Sequence, residues 1–517
     1  MQRPRTLRTG LPGLLLPGPL LIAQLFAPLA VAQATTLMDA VDASLPALDG
    51  QTVDAARLSG AATLPEAAAP TAGGQAETLP SLPRLFALAL QNDADLASQR
   101  YDAEATAQQV PMAQAGLKPQ ISASAGYVYQ ESDNYYTDNP AYDPDNELSG
   151  ASDDYQARYQ GVTRDETWQV QLTQPLFSLE RWRKVDKAEA QSDAAQLTVA
   201  VAERDLALQV AKAYLDAFVA SRKLGLLASK QESLTLQVKQ AQRAYDLGVG
   251  DRINLLEAQS RLDQAVADTV SAENELNNAL SMLERLTGML PEFAGSGLGD
   301  LDGLTLPGSW DEPEPWLART VNNVEVALGK QQVEIARADT GVRRAGRYPE
   351  LNLNLAYSDR ASNDPFRESS DTSASLRLNV PIYQGGYTSA SVKQGELAQQ
   401  ATQAGYINAL NLARQEVRQR LRSLRGDERQ IDALKRSIES ASLFLQAAEK
   451  GEQLGLRDLV DVLDARANLY DLRIQFVDVV RQYLLDRLNL QAAVGDLGTQ
   501  DLVDSMALLK EVATPEV

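Results

Sequence analysis

Asp461 and Asp464 stand three positions apart, and Arg457 stands four positions before the first of them. Paired carboxylates are the usual equipment of general acid–base hydrolysis, so the first chemistry to weigh is that of a lytic or otherwise enzymatic envelope protein. The i,i+3 spacing instead sets both acids on one face of a single helix, and no aromatic substrate cleft accompanies them. A solvated helix face presents the same residues, and Arg457 is placed for an ordinary i,i+4 pair with Asp461. A second acidic group, Asp143, Asp145 and Glu147, has the oxygen ligands Ca²⁺ takes but lacks the glycine and full spacing of an EF-hand; a solvated acidic loop is the plainer reading. No Cys and no His occur among the 517 residues. That removes thiol nucleophiles, disulfides, zinc sites built on Cys or His, and the usual acid–base residue at neutral pH. No enzyme activity, cofactor or metal is expected, and no Cys is available for acylation. The net charge of −21 opposes a nucleic-acid partner and favours cations or basic peptides.

The elements that carry these residues occur twice. Lys118-Pro119-Gln120-Ile121-Ser122-Ala123-Ser124-Ala125-Gly126-Tyr127 returns 230 positions later as Tyr348-Pro349-Glu350-Leu351-Asn352-Leu353-Asn354-Leu355-Ala356-Tyr357. Leu172 to Phe177 matches Leu378 to Tyr383 at an offset of 206, and Leu247-Gly248 to Ala258 matches Leu454-Gly455 to Ala465 at 207. Gly288 and Gly495 close the two copies. Duplication in fixed order points to an architecture built by repetition rather than to a catalytic centre. The expected divisions are a signal peptide (1–32), a flexible Ala- and Pro-rich lead-in (33–78), a first repeat (79–292), a linker (293–312), a second repeat (313–496) and a tail (497–517).

The signal peptide rests on Arg3, Arg5 and Arg8 before a Leu-rich stretch and on Ala30-Val31-Ala32 at its end. A membrane anchor is the alternative, opposed by Pro12, Pro17, Pro19 and Pro28. Alternation after Pro119 and Pro349 predicts strands over about 119–130 and 349–359, with partners over about 166–176 and 372–382. Apolar residues lie on one face, polar on the other, and aromatics near the ends, as membrane strands require; a small soluble sheet has the same alternation. Four strands cannot close a conducting barrel, so several chains would pool theirs. The first strand pair is split by an acidic, Tyr-rich loop, about 130–165, expected on the cell exterior.

Two proline-free stretches, about 179–246 and 387–453, predict helices ~100 Å long. Val417, Leu421, Leu424, Ile431, Leu434, Ile438, Ala441, Leu445 and Ala448 form a heptad seam; Val210, Tyr214, Ala217, Leu224, Leu227, Gln231, Leu234, Val238 and Ala241 are its counterpart. Gly248 and Gly455 end the helices, and Asp251 and Asp458 can cap the helices that follow.

Asn379-Val380-Pro381-Ile382-Tyr383-Gln384-Gly385-Gly386-Tyr387, Val392-Lys393-Gln394 and Gly455 through Ala465 resemble the TolC-like outer-membrane channel-tunnels of Gram-negative bacteria, as does Leu172–Phe177 with Trp182-Arg183. The resemblance covers roughly residues 80 to 496. It implies a mainly α protein with transmembrane β structure: a homotrimer whose chains each give four strands to one 12-stranded outer-membrane barrel, continuous with a long periplasmic α-helical coiled-coil barrel. It further implies a passive exit duct for type I secretion of proteins, efflux of small molecules, or both, working with a periplasmic adaptor protein and an inner-membrane ABC or other pump. Carried over by position, Asp461 and Asp464 match the acidic rings of the periplasmic aperture, and Arg457 matches the basic residue of its latch. The expected acidic latch partner is here Asn254 and the expected aromatic is Glu452, so Arg457 has Asn254, Asp251 and Glu452 as candidate partners. Gly248 and Gly455 sit at hairpin tips expected to meet the adaptor. The competing reading is a trimeric coiled-coil surface protein without channel activity.

Overall fold

The computed structural model describes residues 79–136, 158–293, 306, 310–363 and 367–513, all within the unit Pro70–Val517. The signal peptide, the lead-in and the Asp143–Glu147 cluster lie outside the described residues. The first copy runs α1 (Leu82–Asn92), α2 (Ala94–Ala107), α3 (Gln109–Ala115), β1 (Gln120–Tyr136), β2 (Arg158–Ser178), α4 (Leu179–Asp246) and α5 (Arg252–Thr287). The second runs α6 (Glu314–Arg319), a 3₁₀ turn (Thr320–Asn322), α7 (Val324–Ala345), β3 (Glu350–Ser362), β4 (Ser369–Asn379), α8 (Tyr387–Gln453) and α9 (Leu459–Val494). The tail expected after residue 496 folds as a further helix, α10 (Thr499–Ala513). Among the described residues no helix is long and apolar enough to cross a membrane.

The strands form one antiparallel sheet in the order β1-β2-β3-β4. Its register aligns the two alternations. Ile121, Leu172, Leu355 and Ala374 share one cross-strand row, and Ala123, Val170, Tyr357 and Thr372 the next, with the Trp168 and Tyr357 rings 5.0 Å apart. On the other face Ser124, Gln169, Ser358 and Asp371 make a polar row. A one-residue slip would exchange the faces, so the pattern fixes the register. At 17 and 21 residues, β1 and β2 outrun the expected ten. The β2–β3 pairing breaks between Pro175 and Phe177, where proline has no N–H to offer the ladder. Below this break Arg181 joins sheet to helix, bonding Glu350 at 3.1 Å and the Gly116 carbonyl at 2.9 Å.

The main core lies midway along α4 and α8 and takes in the C-terminal parts of α5 and α9. Val210, Tyr214 and Phe218 of α4 meet Leu283 and Leu286 of α5, Val417, Leu421 and Leu424 of α8, and Phe476, Tyr483 and Leu488 of α9. Leu82 and Leu85 of α1 and Leu502 and Leu509 of α10 complete it. In the α8 seam eight of the nine heptad residues are buried, Leu445 being partly exposed. Ala-rich positions let such helices approach closely, as the seam requires.

The duplication extends to the caps. Asp93 accepts from Leu96 N at 2.8 Å to start α2, and Asn323, 230 positions on, accepts from Glu325 N at 2.8 Å to start α7. Asn323 also donates to the Ala493 carbonyl at 2.9 Å, locking the end of α9. There Gly495 holds φ +78°, and a Cβ would stand 2.2 Å from the Asn322 carbonyl oxygen. The copies differ in two places: α2 and α3 are separated at Gln108 whereas α7 is continuous, and α1 is one helix whereas α6 is short and runs into the 3₁₀ turn.

Two predictions follow from the core. Gly495→Ala adds both backbone strain of about 1–3 kcal/mol and a steric clash. Gly455→Ala meets strain alone, since nothing lies within 4 Å of its Cβ position; thermal unfolding in detergent is expected to show the larger loss for Gly495→Ala. Burial, with the nearby Asp486 charge, pushes the Asp427 carboxyl from 3.8 up to about 6. Between those values the folded chain keeps a proton that the unfolded chain releases, so this contribution to stability falls as pH rises through that window. Asp427→Asn is expected to add about 1 kcal/mol above pH 6, discounted for solvent screening, and little near pH 4. Tm measured at both pH values checks it.

Candidate functional site

The two hairpin turns share one hydrogen-bond scheme. Val249 N and Gly250 N both donate to the Ala244 carbonyl, at 3.0 and 2.9 Å, while Leu456 N and Arg457 N both donate to the Gly451 carbonyl, at 2.8 and 3.2 Å. Gly248 at φ +72° and Gly455 at +68° supply the left-handed residue such helix ends need. Asp251 then accepts from Ile253 N at 3.2 Å and caps α5.

The side chains have been exchanged between the copies. A Cβ at Gly250 would fall 2.8 Å from the Ala244 Cβ, so the first turn holds Ala then Gly. The second holds Gly451 then Arg457, and a Cβ on Gly451 would lie 3.0 Å from the Arg457 Cγ. Gly451 thus makes room for Arg457. This requirement was missed in reading the sequence, although the offset of 207 pairs both positions.

Arg457 is engaged within its own hairpin. Its guanidinium lies 3.5 Å from the Asp461 carboxylate and 5.2 Å from the centre of the Phe444 ring. Asn254 is half-buried on α5, Asp251 is occupied as a cap, and Glu452 is exposed; none of the three is an ionic partner of Arg457 among the described residues.

Asp461 and Asp464 share the exposed face of α9, while Val462, Leu463 and Ala465 are buried. Leu463 packs with Leu234, Ala258 and Ala265 of the first hairpin, and Val462 and Ala465 with Ala448 of α8. Asp464 is bound from the other hairpin: Arg261 of α5 reaches it at 2.6 Å and Glu257 at 2.9 Å. Burial disfavours the charged Arg261 side chain, but its bonds to Glu257 and Asp464 outweigh that and raise its pKa above the ordinary arginine value. One turn along α9, Arg466 donates to Ser233 of α4 and Glu449 of α8, and Asp471 lies 3.6 Å from Lys230 of α4. Arg261 and Arg466 were not singled out from the sequence. Their signal was a basic residue two to two and a half turns into each second helix, which many exposed helices also carry.

The exchange predicts a compensating pair. Gly250→Ala is expected to speed amide hydrogen exchange across residues 244–256, and Ala244→Gly in the same chain to restore only part of the protection, because the added Cβ would also stand 2.9 Å from the Ala244 carbonyl carbon and 3.0 Å from the Tyr245 nitrogen.

The sequence pattern of the family described as "Outer membrane efflux protein" matches residues 85–289 and 320–496, the two copies without their linker. The outer membrane protein TolC of Vibrio cholerae serotype O1 is 26% identical over 437 residues, covering 83% of this chain and 94% of that protein. The proteases secretion protein PrtF of Dickeya chrysanthemi is also 26% identical, over 447 residues, with 84% and 92% covered. In fold, the Campylobacter jejuni CmeC outer membrane channel superposes with a TM-score of 0.66 at 17% identity, over 84% of this chain and 90% of its own. The α-helical and β-sheet parts thus have the arrangement of the channel-tunnels, as the resemblance implied. The protein is an outer-membrane channel component rather than an enzyme, and the chain belongs to the outer membrane efflux protein family.

Proposed function

We propose that this protein is the exit duct of a tripartite export machine, gated at its helix-hairpin end. The observation that carries the reading is a sheet apolar on one face and polar on the other, in which β1 and β4 each lack an outer neighbour. In hydrocarbon an unpaired strand edge leaves backbone groups unsatisfied, so the sheet must close. Three copies joined β4 to β1 close it with twelve strands and keep the polar rows around an aqueous lumen. The side chains of β4 are exposed along its length, and Ile382 and Tyr383 just beyond it are 93% and 85% exposed, which a neighbouring copy would cover.

The helices carry the duct through the periplasm. At their far end Asp461 and Asp464 of three copies form two acidic rings whose field attracts cations and opposes small anions. The tips around Gly248 and Gly455, with Leu247, Val249, Leu454 and Leu456 exposed, offer apolar contacts to a periplasmic adaptor, behind which stands an inner-membrane ABC or other pump. Cargo is exported protein, small molecules, or both. The names of the relatives include protease secretion (PrtF) and efflux (BepC), so both remain within the reading. A coiled-coil surface protein would leave the polar sheet face without a purpose and would not conduct.

Planar-bilayer recording of purified trimers tests the proposal. A small cation-selective conductance is expected, and Asp461→Ala with Asp464→Ala is expected to reduce that selectivity. Unchanged selectivity would remove the acids from the lumen, and the absence of current from folded trimers would return the surface-protein reading.

A further inference from the structure

The two copies part where their long helices meet in the main core. At an offset of 207, Ala213, Ala220 and Ala279 of the first copy correspond to Arg420, Asp427 and Asp486 of the second. The three alanines are buried and border a cleft of about 630 Å³ between α4, α5 and α9. Their counterparts bring one positive and two negative side chains to the α8–α9 pair. Arg420 of α8 donates to Asp486 of α9 at 2.7 Å, and the Asp486 side chain is only 3% exposed. Glu416, one turn earlier on α8, reaches Arg420 at 3.4 Å from the exposed rim. Asp427 is half-buried and stands in the seven-residue step of the α8 seam between Leu424 and Ile431. Its buried Oδ2 has no hydrogen-bond partner among the described residues. Since the first copy packs the equivalent helix pair with alanine, packing α8 on α9 does not by itself require these charges.

We propose that Arg420, Asp427 and Asp486 form a proton-operated fastening of α8 to α9 in the main core. Arg420 can neutralise one carboxylate, and Asp486 is the one it holds. A proton on Asp427 leaves the three side chains neutral as a group. Its loss sets a second carboxylate against Asp486 where burial weakens screening. Burial, and after it the Asp486 charge, raises the Asp427 carboxyl to about 6, so the change falls in the mildly acidic range. The groups around it do not take over this role. Tyr483 of α9 is pushed up to about 12, by burial first, and stays protonated throughout that range. Arg487 of α9 is engaged by Asp504 of α10 at 3.2 Å. Glu428, the next residue of α8, is also raised by burial, but the charges it feels are Asp311 and Asp432 rather than Asp486. When α8 and α9 separate, Asp427 returns toward its ordinary value of 3.8 and releases its proton between the two values. Acid therefore favours the fastened state, and rising pH favours release. The first copy has no titratable side chain at these three positions, so the response belongs to the second copy.

The test follows amide-exchange protection over residues 417–431 of the purified full-length protein from about pH 4 to pH 8, corrected for the intrinsic pH dependence of exchange. Wild type is expected to lose about fivefold in protection across the step, after a discount for partial solvent screening. Asp427→Asn is expected to hold the acid-side protection at every pH, because an amide of the same shape stands in for the protonated carboxyl. Asp486→Asn frees Arg420 to pair with Asp427, so the step is expected to move to lower pH. Glu428→Gln is expected to keep the wild-type step; its loss in that variant would give the role to Glu428 and overturn the proposal. Should Asp486→Asn fail to fold, Arg420→Ala with Asp427→Ala and Asp486→Ala gives α8 and α9 the residues of the first copy, and this variant is expected to show no step. If wild type has no step, or Asp427→Asn retains it, the proposal is overturned and the three charges are a fixed pairing of the two helices.

Discussion

A helix of 68 residues cannot stabilise itself, and everything else in this fold depends on where the long helices are packed. The main core stands midway along α4 and α8, where α1 packs on α4 and α5, α10 packs on α1 and α9, and Tyr214 donates to the Pro80 carbonyl at 2.7 Å. Burial thins in both directions from that belt. Toward the strands the attachment passes to Arg181, Lys187 and Asp339; toward the hairpins it passes to small Ala and Leu clusters and to Arg261 and Arg466. Polar bridges at a partly exposed helix end open at far lower cost than an apolar seam.

The duplication shows what repetition can and cannot conserve. Caps, turn hydrogen bonds and left-handed glycines occur in both copies, because each answers a backbone need that arises twice. Side chains have diverged where the copies meet different neighbours. Where one copy has Ala244 and Gly250 the other has Gly451 and Arg457, so each turn keeps a glycine where a second Cβ would crowd its neighbour. That exchange turns an inert turn into one bearing a charge beside the acids of α9.

The sheet applies the same economy to the membrane. Its four strands satisfy one another internally and leave the outer edges of β1 and β4 without a neighbouring strand among the described residues.

Reading the chain alone was enough for the elements set by local periodicity. The long helices, both hairpin turns, the strand faces and the heptad seam are repeating patterns of residue type, and repetition at offsets of 206, 207 and 230 confirmed each against its twin. The acids Asp461 and Asp464 were also legible, as neighbours on one helical face. The partners of those acids were decided only by tertiary structure. Asp464 and Arg261 are 203 positions apart, and no local pattern states which of many exposed arginines two packed hairpins bring within 2.6 Å. The helix formed by the tail had a signal, the i, i+4, i+7 spacing of Leu502, Met506 and Leu509; that this face docks on the main core was decided only by tertiary structure. Periodicity is a property of neighbours in sequence, whereas ion pairs and docking depend on the rotation and register of whole helices, which are fixed only when the core closes.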